Sequence, residues 1–355
     1  MNKIWILGAT GRSGRALAAQ LAGAQLAPVL VGRDAARLQK VAAEIGGDSR
    51  IVTADSIEAM ASAIAQDKPA VVINTIGPFS QTALPIAQAC APGTHYVDIS
   101  NELTSFLELL AMHDEAVAAG QTLVTGAGFG VLATESVVLK LCEGQPAANK
   151  VRVDALPFVE VEAGALGAAL AGTIVESLIE GGRRYARGQL VRARPVSEVQ
   201  TLTLPDDSRV TTASWNAGEL EAARRASGAP FVVAASSMVP HAPILRAVLP
   251  AAQTLLRIKA VGDFATRRLA AIEIKPGQHE IKSQQFSWAH ARVSWKSGVT
   301  REGWLQLGDA GEFTTKVMAE VAMRLARGEG KAGAYTPGAL FGPELAENAG
   351  GQFLL

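Results

Sequence analysis

The stretch Gly8-Ala9-Thr10-Gly11-Arg12-Ser13-Gly14 follows the apolar run Lys3–Leu7 directly and opens a helical pattern. In a dinucleotide-binding loop, the first glycine permits a tight turn and the second lets the backbone approach a pyrophosphate. The third allows the helix to pack closely on the strand, and the helix N-terminus supplies amide donors and partial positive charge. Three glycines alone are weak evidence, because a glycine-rich loop can form a tight turn that binds no ligand. Its place between strand and helix favours a dinucleotide site, made by Gly8, Thr10, Gly11, Arg12, Ser13 and Gly14.

The first part of the chain alternates between apolar runs of strand length and longer helical patterns. The predicted strands are Lys3–Leu7, Pro28–Val31, Ile51–Ala54, Ala70–Asn74, His95–Ile99 and Thr122–Thr125. The predicted helices between them are Arg12–Gly23, Asp34–Ile45, Ile57–Ala65, Gln81–Cys90 and Leu103–Ala119. Such alternation is typical of right-handed βαβ units in a buried parallel sheet. We therefore predict an α/β fold built on a Rossmann-type doubly wound parallel sheet.

The end of the second predicted strand bears on the choice of cofactor. NAD-specific domains place an acidic residue there to bind the ribose 2′-hydroxyl, but this chain has Gly32 followed by Arg33. The Arg33 guanidinium suits a 2′-phosphate, and Arg12 could add a second cation. Asp34 suits a helix N-cap instead. The sequence thus favours NADP (NADPH) over NAD. The alternative is that Arg33 is a solvated surface residue without a role in cofactor binding.

Two further loops leave predicted strands at their carboxyl ends, where the ligand crevice of an open parallel sheet lies. The first predicts cofactor contacts from Asn74, Thr75, Ile76, Gly77 and Phe79. The second, Thr125–Gly130, has three glycines that indicate a close backbone approach, either to a ligand or between domains.

After Gly130 the pattern changes to a mixture of helices and antiparallel strands. We predict a helix at Gly164–Gly181 and strands that include Ala270–Ile274 and Gln285–Trp295. The expected domains are an NADP-binding Rossmann domain at 1–130 and an inserted α+β second domain at 131–307, for substrate or dimerisation. Segment 308–355 should return to the Rossmann domain, because the apolar stripe of the predicted helix Phe313–Gly328 needs a hydrophobic face to cover.

Composition excludes several classes of protein. The 355 residues carry 33 Lys+Arg and 33 Asp+Glu, so no whole-chain positive field exists to hold nucleic acid. Cys90 and Cys142 are too few for a disulfide scaffold or a four-cysteine zinc site, and we expect no metal. The sequence shows no signal peptide or membrane span, so a cytoplasmic protein is expected.

The sequence does not identify a catalytic residue. No tyrosine is followed four residues later by lysine, which excludes short-chain dehydrogenase chemistry, and the helical Cys142 is better explained by core packing than as a nucleophile. The remaining acid–base candidates are individually better explained as structural or solvated groups, and His241 is the first to mutate. They are Glu135, Glu162, Tyr185, His241, His290 and Arg292.

Several motifs together resemble those of a known family. The motifs are Gly8–Gly14, Val72–Phe79, Gly93–Ile99, Gly308–Thr315, Gly333–Pro337 and Phe341–Gly342. They are similar to the saccharopine dehydrogenase-like NADP-binding family, in particular its saccharopine reductase-like branch with the trans-acting enoyl reductases. In that branch a Gly-Phe-Asp-type motif follows the sixth strand, whereas here Gly128-Phe129 is followed by Gly130. No substrate role is therefore carried over from that acid.

The resemblance implies hydride transfer from NADPH to an imine or a polarised C=C bond of a small-molecule or acyl substrate. The alternative is a non-catalytic NADP-binding sensor or assembly protein, which the lack of an identifiable acid–base pair favours. Neither hypothesis predicts a nucleic-acid partner, and a homodimer through the second domain is compatible with both.

Overall fold

The computed structural model describes residues 3–46, 49–90, 92–159, 164–165, 168–194, 196–239, 253–274 and 285–355. The chain forms two compact units. Unit 1 comprises Met1–Ser100, Thr104–Gly128 and Gly311–Leu345. Unit 2 comprises Asn101–Leu103, Phe129–Ala310 and Ala346–Leu355.

Strands and helices alternate regularly through the first part of the chain. In order, the elements are β1 Ile4–Leu7, α1 Arg12–Gly23, β2 Val29–Gly32, α2 Ala35–Glu44, β3 Ile51–Thr53, α3 Ile57–Asp67, β4 Val71–Asn74, α4 Phe79–Ala89, β5 His95–Asp98, α5 Leu103–Ala111, α6 His113–Ala118 and β6 Thr122–Val124.

The later elements mix helices with strands of both directions. They are α7 Phe129–Cys142, β7 Lys150–Leu156, β8 Gly164–Ala165, α8 Ala168–Glu180, β9 Gly182–Ala186, β10 Gln189–Ala193, β11 Gln200–Thr203, β12 Arg209–Ser214, α9 Glu219–Ser227, β13 Phe231–Ser236, α10 Lys259–Ala270, β14 Glu273–Ile274, β15 Ser287–Ser294, β16 Thr300–Leu307, α11 Ala310–Ala326, β17 Gly333–Tyr335, α12 Pro337–Phe341, α13 Glu344–Asn348 and β18 Gln352–Leu354.

Unit 1 is built on a parallel sheet with the strand order β17-β6-β5-β4-β1-β2-β3 among the described residues. Every residue of β1, β2 and β4 is buried, as expected for strands that helices cover on both faces. The order reverses between β1 and β4, so the ligand crevice of this sheet is expected at their carboxyl ends. The predicted Rossmann-type sheet is confirmed, and β17 extends it by pairing Tyr335 with Val124.

Local side-chain chemistry explains where the first helices of unit 1 begin and which face they bury. Helix α1 buries Gly14, Leu17 and Leu21, whose three- and four-residue spacing forms one apolar stripe. Helix α2 begins after Asp34, whose side chain accepts a hydrogen bond from Arg37 N at 3.1 Å. The predicted N-cap role of Asp34 is therefore confirmed.

Unit 2 contains a mixed sheet, in which the described strands follow the order β10-β9-β13-β7-β15-β16-β18. Only the β13–β7 pair on this path is parallel, and β12 extends the sheet from β13 while also pairing with β11. Helix α7 packs against β7, β15 and β16, and α9 packs beside it. The predicted α+β character of the second domain is confirmed.

Two predictions of secondary structure in unit 2 are wrong in part. The helix predicted over Gly164–Gly181 begins only at Ala168, because Gly164–Ala165 pairs with Glu273–Ile274 as a two-residue strand. The strand predicted over Ala270–Ile274 is confined to Glu273–Ile274. Arg, Leu and Ala are good helix formers, so α10 continues to Ala270.

Candidate functional site

The glycine loop of unit 1 is a tight turn tied to the next strand. Gly8 has φ +80°, a left-handed conformation that favours glycine. Its amide and that of Ala9 both donate to Val31 O, at 3.0 and 3.2 Å, while Gly11 N donates to Gly8 O at 2.9 Å. The loop is thereby held at the carboxyl ends of β1 and β2.

The start of α1 is open to an anion. Gly11 caps the helix without a side-chain hydrogen bond, and the first turn contains no acidic residue. A β-carbon at position 11 would lie 3.3 Å from Gly8 O, and one at position 14 would overlap that same oxygen. The loop therefore leaves backbone amides and the positive end of the helix uncovered, which is the arrangement that binds a pyrophosphate.

The loop after β4 lies directly against the glycine loop. A β-carbon on Gly8 would meet Thr75 Oγ1 at 2.8 Å and Ile76 Cγ1 at 2.9 Å. Thr75 Oγ1 donates to Leu7 O at 2.7 Å, and Ile76 N donates to Asn74 Oδ1 at 3.0 Å. The structure thus brings the predicted residues of the two loops together.

The other predicted contact residues continue these two loops. Thr10, Ser13 and Gly77 are half-buried, while Phe79 is buried at the start of α4.

The two predicted cations of the site are solvent-exposed. Arg33 follows β2 directly, two residues beyond Val31, whose carbonyl oxygen anchors the glycine loop. Arg12 opens α1. Across the described parts of the chain, neither guanidinium has an ion-pair partner, so both are available to a phosphate group. This placement suits the 2′-phosphate of NADP.

A buried polar network that sequence reasoning missed links the ends of three strands in unit 1. Asn74 Nδ2 donates to Thr82 Oγ1 at 3.1 Å and to the Tyr96 hydroxyl at 3.2 Å. Tyr96 in turn donates to Asp98 Oδ2 at 2.9 Å, and Thr125 Oγ1 donates to Asp98 Oδ1 at 2.8 Å. The only sequence signal was a set of polar residues at the ends of otherwise apolar strands.

Asp98 is the titratable centre of this network. Burial raises the pKa of Asp98 to about 6, although hydrogen bonds from Ser100 N, Thr125 and Gly126 N oppose the shift. The same carboxylate accepts bonds from the chain after β5 and after β6, so it fixes the backbone of both loops.

Two acid–base candidates of unit 2, His290 and Tyr185, are committed to structural partners. His290 Nδ1 is 2.9 Å from Asp154 Oδ2, and His290 Nε2 is 2.9 Å from Glu302 Oε1. Asp154 also accepts from Arg152, so its pKa lies below the ordinary value although burial alone would raise it. Tyr185 donates to Glu221 Oε2 at 2.6 Å, and burial raises its pKa to about 12.

Two of the remaining candidates lie in the described residues, at places that differ in exposure. Glu135 is fully buried in α7, whereas Arg292 is exposed on β15. Glu162 and His241 lie outside the described residues. Cys142 is half-buried, and burial raises its pKa to about 11, so its thiol stays protonated at neutral pH.

Comparison with known proteins identifies the first domain. The family described as "Saccharopine dehydrogenase NADP binding domain" matches residues 4–124. The chain is 30% identical over 145 residues to the trans-acting enoyl reductase of Mycobacterium leprae, covering 39% of this chain and 35% of that protein. It is 32% identical over 136 residues to the enzyme of that name from Mycobacterium ulcerans, covering 36% and 32% respectively. The matches thus span about a third of these relatives.

The fold extends the likeness beyond the first domain. Apo saccharopine dehydrogenase (L-Glu forming) from Saccharomyces cerevisiae superposes with a TM-score of 0.63, covering 100% of both chains at 13% identity. None of the helices in the described part of the chain is long and apolar enough to cross a membrane. Residues 4–124 match the saccharopine dehydrogenase NADP-binding domain, and the chain has the fold of saccharopine dehydrogenase.

Proposed function

We propose that this protein is an NADPH-dependent oxidoreductase, which transfers a hydride to an imine or a polarised C=C bond of a small-molecule or acyl substrate. The observation that carries the proposal is the joined pair of loops in unit 1, where Gly8 packs on Thr75 and Ile76 beside a helix start that has no side-chain cap. NADPH supplies the hydride when it is bound. Arg33 and Arg12 would hold its phosphates.

The choice between the two reducible bonds rests on the relatives. The curated relatives are named enoyl reductases, which favours a C=C bond conjugated to an acyl carbonyl. The structural neighbour is a saccharopine dehydrogenase, and it shares the fold alone. We therefore place the enoyl class first and the imine class second.

Two chemically simple probes test the proposal. The crotonyl thioester of N-acetylcysteamine represents the enoyl class, and 1-piperideine represents the imine class. NADPH oxidation followed by absorbance should accelerate when one of these probes is added, and the crotonyl thioester is the one expected. Tight NADPH binding without acceleration by either probe would instead favour a non-catalytic NADP-binding protein.

A further inference from the structure

Large apolar side chains are exposed along one short segment of unit 2. This α10 segment, from Leu255 to Ile272, comprises the turn before α10, the helix itself and the two residues after it. Its exposed apolar residues are Leu255, Ile258, Val261, Phe264 and Ile272, at 57%, 54%, 36%, 58% and 52% exposure. Single exposed apolar residues are common on protein surfaces, but a group of them marks a surface that binds a partner.

The segment has a regular backbone that presents these side chains together. In the turn, Ile258 N donates to Leu255 O at 3.0 Å, and Gly262 N then donates to Ile258 O at 3.0 Å. Val261 and Phe264 are three residues apart in α10, so they are neighbours on the helix surface.

The other side of α10 packs against α8. Gly262 is buried there, and a β-carbon at this position would lie 2.9 Å from Leu256 O and 3.9 Å from Ile179 Cδ1. At 3.6 residues per turn, Phe264 lies on the side of the helix away from Gly262. The helix therefore has one face in contact with the protein and an apolar face in contact with solvent.

Basic side chains are interleaved with the exposed apolar ones. The α10 segment has four basic residues and one acidic residue, although the whole chain carries no formal net charge. Lys259 Nζ pairs with Asp263 Oδ2 at 2.9 Å. The other three, Arg257, Arg267 and Arg268, are exposed, and none has an ion-pair partner among the residues that the structure describes.

This combination favours a partner surface that is both apolar and negatively charged. Arg267 and Arg268 follow Phe264 by three and four residues, so they neighbour it on the helix surface. Helices of this pattern lie in the interface of a bilayer with anionic lipids, where apolar side chains enter the acyl boundary and arginines stay beside the headgroup phosphates. The long aliphatic stem of arginine allows both contacts at once.

Other occupants meet these requirements less well. In a two-fold dimer the same face contacts itself, which would bring the unpaired arginines of two copies together. Such like charges repel and lower the affinity. An acidic protein would satisfy the charge, but it would also need pockets that match the exposed apolar side chains. A bilayer accepts these side chains without matching pockets.

We propose that the α10 segment binds the surface of a membrane that contains anionic lipids. The helix would lie parallel to the surface, with Leu255, Ile258, Val261 and Phe264 below the level of the phosphates. The binding is peripheral, because the 12 residues of α10 span only about 18 Å, against about 30 Å for the hydrocarbon core. This inference does not depend on the proposed oxidoreductase activity.

Sedimentation of the full-length protein with vesicles tests the proposal. Vesicles of phosphatidylcholine with phosphatidylserine are compared with vesicles of phosphatidylcholine alone. The wild type should bind the mixed vesicles at low salt and bind the neutral ones far less. Raising the salt to about 0.5 M should release it, because screening weakens the attraction between exposed charges.

One pair of substitutions tests the charge. Arg267→Ala/Arg268→Ala should weaken partitioning onto the mixed vesicles by roughly 5-fold per arginine. The matched control is Arg192→Ala/Arg209→Ala, which removes two exposed arginines from β10 and β12. The control should bind as the wild type does.

A second pair tests the apolar face. Ile258→Ser/Phe264→Ser should weaken partitioning by about 10-fold or more, because less apolar surface enters the bilayer. Its control is Val117→Ser/Val299→Ser, at positions that are 49% and 51% exposed outside the α10 segment. Both pairs replace exposed side chains, so thermal denaturation should show folded proteins.

Three results would overturn the proposal: no binding to the mixed vesicles, equal binding to neutral ones, or binding that survives both changes in the α10 segment. Analytical ultracentrifugation without vesicles then identifies the occupant. An oligomer that Ile258→Ser/Phe264→Ser dissociates would assign the face to a second copy of the chain. A monomer that binds no vesicle would assign it to an acidic protein.

Discussion

The carbonyl oxygen of Gly8 lies so close to Gly14 that a β-carbon on Gly14 would overlap this oxygen. The end of β1 and the first turn of α1 are therefore in direct backbone contact. This contact determines the path of the loop between them and leaves its amides and the helix N-terminus open on the other side. A cofactor phosphate would use those amides.

Gly14→Ala should consequently weaken both the fold and the cofactor site. We expect the free energy of unfolding to fall by about 1–3 kcal/mol, the usual cost of overpacking, together with a loss of NADPH affinity. Urea denaturation and NADPH titration measure the two effects. Gly23→Ala in the same helix is the control, since a β-carbon there would meet nothing within 4 Å. Equal stability of the two variants would show that the Gly8–Gly14 contact is not restrictive.

Gly11→Val should separate binding from folding. Gly11 has φ −76°, which valine also adopts, and its added β-carbon would meet only Gly8 O at 3.3 Å. The side chain would instead intrude where the backbone approaches a pyrophosphate. We expect a folded protein that no longer binds NADPH, checked by circular dichroism and fluorescence titration. Unchanged NADPH affinity would remove the loop from the cofactor site.

Asp98 should give the protein a dependence of stability on pH. Its pKa is about 6 in the folded protein, because burial outweighs the donors around it, against about 3.9 in an unfolded chain. The folded state therefore binds the proton more tightly, and stability falls as the pH rises from about 4 to about 6, by on the order of 3 kcal/mol. Asp98→Asn cannot titrate, so the stability difference between it and the wild type should change across this range. A constant difference would contradict the assignment.

Local sequence patterns were enough to predict β1 to β6 and the helices between them, although the single helix predicted over Leu103–Ala119 is divided into α5 and α6. The buried runs of β1 and β4 have no polar residue before their ends, and Asp34 caps α2 through the amide of Arg37, three residues away. These features depend on chemistry within a few residues. Glycine placement likewise predicted the loop that Gly8 begins.

The missed features depend on contacts between distant parts of the chain. Asn101 and Glu219 are 118 residues apart, and no pattern near either one indicates that they form a hydrogen bond. Asp98 ends an apolar strand and could equally have been exposed; its role comes from Thr125 and Gly126 on the next strand's loop. In the sequence, Gly130 was visible as a departure from a motif. Only the structure shows that the Glu219 carboxyl fills the space in which a side chain at position 130 would begin.

The C-terminal segment should be needed for the cofactor domain. In unit 1, β17 pairs in parallel with β6, and Val317 and Val321 of α11 are fully buried. A chain ending after Gly308 should lose thermal stability and NADPH binding together. A chain ending after Gly350 is the control, because it removes β18, which pairs with β16 in unit 2. NADPH affinity that survives the longer deletion would show that the segment is dispensable for this domain.

The central claim, that the glycine loop and Arg33 form an NADPH site, is tested most directly by calorimetric titration of full-length protein with NADPH and NADH. Arg33 is exposed and has no ion pair in the described ranges, so Arg33→Ala should not alter the fold. We predict that wild-type protein prefers NADPH. Arg33→Ala should lose about 1.5–3 kcal/mol of NADPH binding free energy, as for a charge-assisted contact, with NADH binding unchanged. Equal weakening of both cofactors, or none, would contradict the account.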